Sequence, residues 1–498
     1  MQNRFNLVDE PWIPITDVGR ISLRQLFSEP DYRALGGDPI QKISLMKFLL
    51  AIAQAACTPQ DNREWESLGA SGLASKCLGY LERWHERFYL YGERPFLQMP
   101  GISAARVQSF GTVLPDIATG NTTILHHSQV ENQLDDAHRA VLLIGLMCFA
   151  LSGKQTDNTV VLTPGYTGKT NEKGKPKSGR AGPSLAHLGL LHSFLVGRTL
   201  WQTLWFNLFG REQLERAGTF PQGVGVPPWE EMPVGEDCDT ARRLKESLMG
   251  RLIPLCRFCL LTGEGLHYSE GIVHPGYREG MADPSVAVDY SGKEPRALWS
   301  NPEKRPWREL TSLLSFFSQQ DSKGLDCWQL RVGMSRLDRL GDVFAVWSGG
   351  LRVSSNAGEQ YASGTDDFVE SQVWLHPGML DNFWFTQLKV EMDGLDALAR
   401  ALYGQAAKYF KELKMDGAKI AAQCVNVFWQ LCERDFQELV NCCDADTEST
   451  KRRYRLRRRF ARNALDSFDR FCPNETARQL DAWASCRPNF GKYLKQEA

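Results

Sequence analysis

The stretch LDALARALYGQAAKYFKEL, residues 395–413, carries Leu395, Leu398, Leu402, Ala406 and Leu413 at steps that fall on one side of a helix. The same spacing returns in VNVFWQLCERDFQEL, residues 425–439, through Val425, Phe428, Cys432, Phe436 and Leu439. A third stripe runs through Phe460, Ala464, Phe468 and Phe471. A fourth is expected from Asn474, an N-cap candidate behind Pro473, and buries Leu480 and Trp483. Four amphipathic helices, each with one apolar stripe to hide, satisfy one another in a four-helix bundle, expected over residues 379–498.

Upstream of His376-Pro377-Gly378 the texture differs, with short apolar alternations and many Gly/Pro-rich turns up to residue 376. The opening FNLVDEPWIPI, residues 5–15, alternates apolar residues and holds Pro11 and Pro14, so it reads as an edge strand or extended arm. Gly36-Gly37-Asp38-Pro39 introduces a helix in which Ile43, Met46, Leu49, Leu50 and Ala53 define one buried side. No long internal period is present. The expected fold class is α+β: a large mixed N-terminal domain, residues 1–376, followed by a C-terminal four-helix bundle.

At 498 residues the chain exceeds what one hydrophobic core usually serves, and its 42% hydrophobic content supplies at least two cores. Lys+Arg at 58 against Asp+Glu at 59 leaves a formal charge of -1, so any nucleic-acid surface must be local. Thirteen cysteines, an odd number at irregular spacing and without a signal peptide, point to reduced thiols and a cytoplasmic setting. The longest apolar run, Ala140 to Leu151, is about a dozen residues, short of the roughly 18 to 20 that cross a bilayer, and reads as a buried helix with no membrane role.

FNLVDEPWIPI, Pro95-Phe96-Leu97-Gln98, the PGYTG loop at residues 164–168 with Lys177-Ser178-Gly179 behind it, and Gly349-Gly350-Leu351-Arg352 occur in one order ahead of the helical tail. Together they resemble the CasA family, the large subunits of the type I-E CRISPR surveillance complex, Cascade. The resemblance implies a non-catalytic protein that recognises the protospacer-adjacent motif (PAM) in double-stranded target DNA and promotes strand separation and R-loop formation. It implies a seat at the crRNA 5′ end, backbone, small and handle-binding subunits of Cascade as partners, and a docking surface for the helicase-nuclease. No cofactor, metal or catalytic residue is implied.

Site residues follow from the same resemblance. Gly165, Tyr166, Thr167 and Gly168 match the glycine loop that faces the PAM minor groove, where the hydrogen-bond pattern is degenerate. Behind it stand Lys169, Lys173, Lys175, Lys177 and Arg180, interleaved with Gly168, Gly174 and Gly179, so backbone amides and cations can lie along phosphates. The plain alternative is a solvated surface loop.

After Gly349-Gly350, the run Arg352, Ser354, Ser355 and Asn356 reads as a hairpin tip, with Asn356 and Gly358 suited to positive φ. It matches the wedge that enters beside the PAM, and a purely structural hairpin is its alternative. The lysine finger of the family has no counterpart, since Arg251 to Gly292 contains no lysine; His274 and Arg278 are the nearest cations. Asn121, Thr122, Leu125, His126 and His127, in NTTILHHSQVENQ, resemble the loop that meets the crRNA handle.

The strongest charge run is KRRYRLRRRFAR, residues 451–462, with eight cations in twelve residues. On a helix, Arg452, Arg453, Arg455, Arg458, Arg459 and Arg462 form a face for DNA backbone or an acidic partner. A solvated helix compensated by Asp466, Asp469 and Glu475 is the alternative.

Three features bear on an enzymatic reading, that of a nucleotide- or metal-dependent nucleic-acid-processing enzyme. TVVLTPGYTGKT approaches a P-loop, but Thr163 stands where the motif needs glycine, and Gly174 and Pro176 forbid a long helix after Lys169. Cys256 and Cys259, with His267 and His274, fit no common zinc spacing. No His-Asp dipeptide of a metal nuclease is present among the nine histidines.

Overall fold

The computed structural model describes residues 2–114, 134–149, 157, 160, 162, 189–277, 283–318, 324–356, 359–361, 368–376 and 381–494. The chain opens with β1 (Arg4–Asn6), β2 (Ile13–Ile15), β3 (Gly19–Ile21), α1 (Leu23–Ser28), α2 (Pro39–Ala56), α3 (Asn62–Arg83), β4 (Tyr89–Tyr91), β5 (Val107–Gln108) and α4 (Asp136–Cys148). There follow β6 (His192–Val196), α5 (Leu200–Phe206), α6 (Arg211–Ala217), α7 (Asp239–Lys245), α8 (Met249–Leu252), β7 (Arg257–Leu261), β8 (Leu266–Glu270), β9 (Val288–Asp289) and β10 (Arg296–Ala297). Next come α9 (Leu310–Leu313), β11 (Leu325–Asp326), α10 (Trp328–Leu340), β12 (Phe344–Leu351), β13 (Ser354–Asn356), β14 (Glu359–Tyr361) and β15 (Phe368–Leu375). The helices α11 (Asn382–Glu412), α12 (Ala418–Asn441), α13 (Thr447–Phe471), α14 (Ala477–Cys486) and α15 (Gly491–Leu494) complete it. Two compact units result: Met1–Pro306 with Lys323–Leu337 and Phe344–Gln372, and Trp307–Ser322 with Asp338–Val343 and Val373–Ala498.

The first unit is built around α2. Asp38 caps it by accepting from the Gln41 amide at 2.9 Å while Gln41 reaches back to the Asp38 amide, and Pro39 starts the first turn. Fourteen of its residues are buried, so the helix is enclosed rather than covered on one side as its apolar spacing suggested. Around its Phe48 pack the rings of Trp12 (5.9 Å), Phe96 (5.8 Å) and Trp229 (5.8 Å).

FNLVDEPWIPI resolves into two short strands, β1 and β2, because Asn6 turns the chain between them. Its side-chain oxygen accepts from Val8 N at 2.9 Å and its amide nitrogen donates to the His85 carbonyl at 3.1 Å. Trp12 then folds back, its indole N–H donating to Leu7 O at 2.9 Å. Gln98 of the Pro95–Gln98 motif is fully buried, donating to Leu90 O at 2.6 Å and accepting from Leu261 N at 2.8 Å. Both motifs hold the core together.

Small sheets surround this centre: β1 with β4, β2 with β3, β7 and β5 flanking β8, β10 and β11 flanking β9, and β6 and β15 flanking β12. In β12, Gly349 lies opposite His192 of β6, and a side chain at Gly350 would collide with the Leu190 carbonyl and the Ser300 hydroxyl. That glycine permits a close approach of backbones.

In the second unit, α11, α12 and α13 bury the stripes expected of them, including Leu395, Leu398, Leu402, Phe428, Phe436, Phe460 and Phe468. The fourth helix differs from expectation. α14 starts at Ala477, where Thr476 and Gln479 form a capping box, and Leu480 faces solvent at 49% exposure. Trp307 joins this unit from far upstream, its ring 4.4 Å from Phe436 and 5.8 Å from Trp429, while the Arg308 guanidinium lies 3.8 Å over Trp429. Among the described residues no helix is long and apolar enough to cross a membrane.

Candidate nucleic-acid interface

The residues expected to grip DNA fall into three groups. Gly165, Tyr166, Thr167, Gly168, Lys169, Lys173, Lys175, Lys177 and Arg180 lie outside the described residues, as do Arg278 and the loop with Asn121, Thr122, Leu125, His126 and His127. In the second group the backbone is described. Ser354, Ser355 and Asn356 form β13, whose register with β14 (Ser354 opposite Tyr361, Ser355 opposite Gln360, Asn356 opposite Glu359) is that of an antiparallel hairpin. Arg352, just before it, is exposed.

The third group carries corrections. His274 cannot supply a surface cation, since it is 1% exposed. It lies 2.6 Å from the Pro254 carbonyl through Nε2 and 3.0 Å from Arg251 Nη1 through Nδ1. A carbonyl only accepts and a guanidinium only donates, so Nε2 bears the proton and Nδ1 is the acceptor. Burial and the neighbouring Arg251 push this imidazole down to about 3, leaving it neutral. The spacing alone gave no hint of burial, but the flanking Ile272 and Val273 do.

Within the charge run of α13, Arg453 also leaves the expected face. It is 7% exposed and its guanidinium donates to the Cys442 and Asp444 carbonyls and to Thr450 Oγ1. Arg457, similarly buried, forks onto Glu391 of α11, Nε to Oε2 at 3.0 Å and Nη2 to Oε1 at 2.7 Å. Arg453, Leu456, Arg457 and Phe460 thus make up the inward side, a helical spacing that was available in the sequence.

What faces outward is a stripe of Lys451, Arg455, Arg458 and Arg462 at steps of four, three and four residues, flanked by Arg452 and Arg459. Eleven residues of helix make about 17 Å, the length of about five nucleotides of one B-DNA strand at ~3.4 Å each. Glu448 answers Arg455 (3.0 Å) and Lys451 (3.6 Å), and Asp435 answers Arg459. Among the described residues Arg452, Arg458 and Arg462 have no carboxylate within ion-pair distance. Asp469, expected to compensate the run, pairs instead with Arg487 at 2.8 Å.

The cysteines show no metal chemistry among the described residues. Burial pushes the Cys256 thiol up to about 12 and Cys259 upward as well, His267 is engaged with the Ala105 carbonyl at 2.6 Å, and His274 has no lone pair left. No group of three potential ligands converges there.

The chain thus combines a mixed α+β unit with a helical bundle whose outer face is rich in arginine. The family model described as CRISPR-associated protein Cse1 matches residues 6–467, and the chain belongs to that family. A protein described as CRISPR-associated protein CasA/Cse1 from Thermus thermophilus is 28% identical over 337 residues, covering 62% of this chain and 60% of its own length. Among solved structures, Thermus thermophilus CasA matches with a TM-score of 0.75 at 19% identity, covering 99% of this chain and 100% of its own. Thermobifida fusca Cse1 matches at 0.78 and 19%, covering 99% of this chain and 98% of its own. A chain of a structure described as a CRISPR RNA-guided surveillance complex matches at 0.70 and 17%, covering 98% and 99%. At these identities the structures establish the shared fold.

Proposed function

We propose that this chain is the non-catalytic large subunit of a crRNA-guided DNA surveillance complex of the type I-E Cascade kind. It recognises the PAM in double-stranded DNA, promotes strand separation and R-loop formation, and offers a docking surface for the helicase-nuclease. The mixed domain, residues 1–376, inspects the duplex through Gly165–Gly168, the cations from Lys169 to Arg180, and a wedge at Ser355-Asn356. The bundle, residues 379–498, holds DNA backbone or an acidic Cascade subunit, and Asn121 to His127 meet the crRNA handle.

The observation that carries this reading on the chain's own residues is the outward stripe of α13. Arg458 and Arg462 of that stripe, with Arg452 beside it, have no carboxylate partner among the described residues, and such cations along a helix release counterions when phosphates replace solvent. Membership of the Cse1 family, and the likeness to a chain of an RNA-guided surveillance complex, supply the guide RNA and partner subunits. Support for binding over catalysis comes from three acids, two buried and one half-buried, that are held by partners within the fold. Asp283 is bound to Lys47, Glu391 to Arg457, and Glu230 accepts from the Tyr80 hydroxyl.

The test uses the assembled complex with crRNA and a PAM-bearing duplex in a mobility-shift titration. Neutralising Lys169, Lys173, Lys175 and Lys177 and replacing Ser355-Asn356 with alanines is expected to abolish duplex capture; unchanged capture refutes the reading. Arg458→Ala with Arg462→Ala is expected to lower the salt slope of binding by about 1 per residue. Metal-dependent cleavage by the isolated chain with Mg²⁺, lost on substituting a carboxylate, would favour the enzymatic alternative.

A further inference from the structure

All fourteen tryptophans of the chain lie among the described residues, and all but one are buried or half-buried. Trp299 is the exception, 41% exposed. Its backbone is fixed from both sides. Leu298 N donates to Ala287 O at 2.9 Å, Leu298 O accepts from Leu191 N at 2.9 Å, and Ser300 N donates to Gly189 O at 2.8 Å. A β-bridge pairs Trp299 with Leu190, and the buried Ser300 hydroxyl donates to Leu190 O at 3.3 Å.

The indole is fixed as well. A Cβ at Gly189 would stand 2.8 Å from Trp299 Cε3 and Cζ3 and 3.2 Å from Val353 Cβ. The six-membered ring therefore lies against the Gly189 backbone, and Val353 closes over the same spot; a side chain at position 189 would push one of them away. Val353 stands between the exposed Arg352 and β13, the first strand of the hairpin. The strand that leads into that hairpin, β12, abuts the same segment, because Gly350 leaves room for Leu190 O and Ser300 Oγ. One exposed indole is thus held rigidly at the root of the hairpin read above as the wedge.

Such a surface suits a flat partner. A protein partner would favour an indole set in an apolar patch, whereas the exposed residues close to Trp299 along the chain are Arg296 and Asn301, and the one beside Val353 is Arg352. When a base pair opens beside a wedge, the target-strand base passes to the guide and its former partner is left unstacked, at a cost of a few kcal/mol. A fixed aromatic face offsets that cost for any base, since every base has a π-face. We infer that Trp299 is a stacking platform for the displaced-strand nucleobase freed at the hairpin, a role that rests on the function proposed above.

The test uses the assembled complex with crRNA and a PAM-bearing duplex in a mobility-shift titration. Trp299→Leu keeps an apolar side chain over Gly189 and removes the π-face; a loss of about tenfold in duplex affinity is expected. Trp299→Phe keeps a face and is expected to stay within about threefold of the parent. The single strand complementary to the guide releases no displaced strand, and both variants are expected to bind it within about twofold of the parent. An abasic site moved through about three positions of the displaced strand next to the PAM should, at one of them, match the loss of Trp299→Leu and add nothing to it. Abasic losses that multiply with Trp299→Leu at every position overturn the inference, as does equal loss in the Leu and Phe variants or equal loss on both targets. Parent-like duplex capture by Trp299→Leu, where the replacements at Lys169 to Lys177 and Ser355-Asn356 abolish it, overturns the inference alone. Parent-like capture by all of these variants overturns the functional reading with it.

Discussion

Replacing Glu391 by alanine tests the account of the bundle most severely. Glu391 is 2% exposed, and its carboxylate takes two hydrogen bonds from Arg457, lies 3.8 Å from Arg453 Nε, and accepts from Gln387 at 3.1 Å. Removing one member of a buried pair costs about 3 to 5 kcal/mol because the other charge remains without solvent. Arg453 keeps its bonds to Asp444 O and Thr450 Oγ1, both 2.9 Å, so the loss falls mainly on Arg457. The lower end of that range, about 3 kcal/mol, is therefore expected. For a unit of about 150 residues, each kcal/mol moves Tm by roughly 3 °C, so the bundle transition should fall by about 9 °C. Scanning calorimetry of the whole chain would read it. Glu391→Leu combined with Arg457→Met should recover most of the loss, since an apolar pair of similar volume is often neutral. A Tm drop under about 2 °C for the alanine variant would refute the reasoning.

Acid should weaken the first unit earlier than its carboxylates alone would. Burial pushes His192 down to about 4 and His274 to about 3, from ordinary values near 6.5. The unfolded chain then takes up protons that the folded chain refuses, so stability is complete above about pH 6.5 and falls by up to about 1.4 kcal/mol per unit per histidine below it. Urea midpoints at pH 7, 6 and 5 should show the fall and His274→Gln should lessen it; a flat profile would contradict the burial of both rings. Trp65 and Trp205 stack at 4.3 Å and exchange indole bonds to each other's carbonyls, both 2.9 Å. Trp65→Phe removes the indole donor while the Trp205 carbonyl keeps its bond from Leu208 N at 3.3 Å, so a loss of about 1 kcal/mol is expected by denaturant titration. Gly350→Ala must push β12 away from Leu190, and a loss of about 1 to 3 kcal/mol is expected in the same assay.

Local chemistry is legible where one stretch of chain carries the whole signal. The cap at Asp38 and the stripes through Leu395 to Ala406 and Phe428 to Leu439 are decided within a turn or two, and the structure forms them. Asn474 looks like a cap because it follows Pro473, but Thr476 with Gln479 makes the stronger reciprocal bond two residues on. Composition cannot say which arginines of the charge run face inward, because Arg457 is buried by a glutamate 66 positions away. Helical spacing through Leu456 and Phe460 separates them. Lys47 escapes notice for the opposite reason: a charge in an apolar run looks like an interruption until Asp283 stands opposite it.

The aromatic seat of Trp307 on Phe436 and Trp429 bears on how such a bundle can be moved between genes. A fragment beginning near residue 379 would leave two large indole and phenyl faces wet, and stickiness or precipitation should follow. Recombination or truncation that respects only the downstream helices cuts through a working core. The heritable module is therefore discontinuous, and swaps among homologues need to carry residues 307–322 along with the tail.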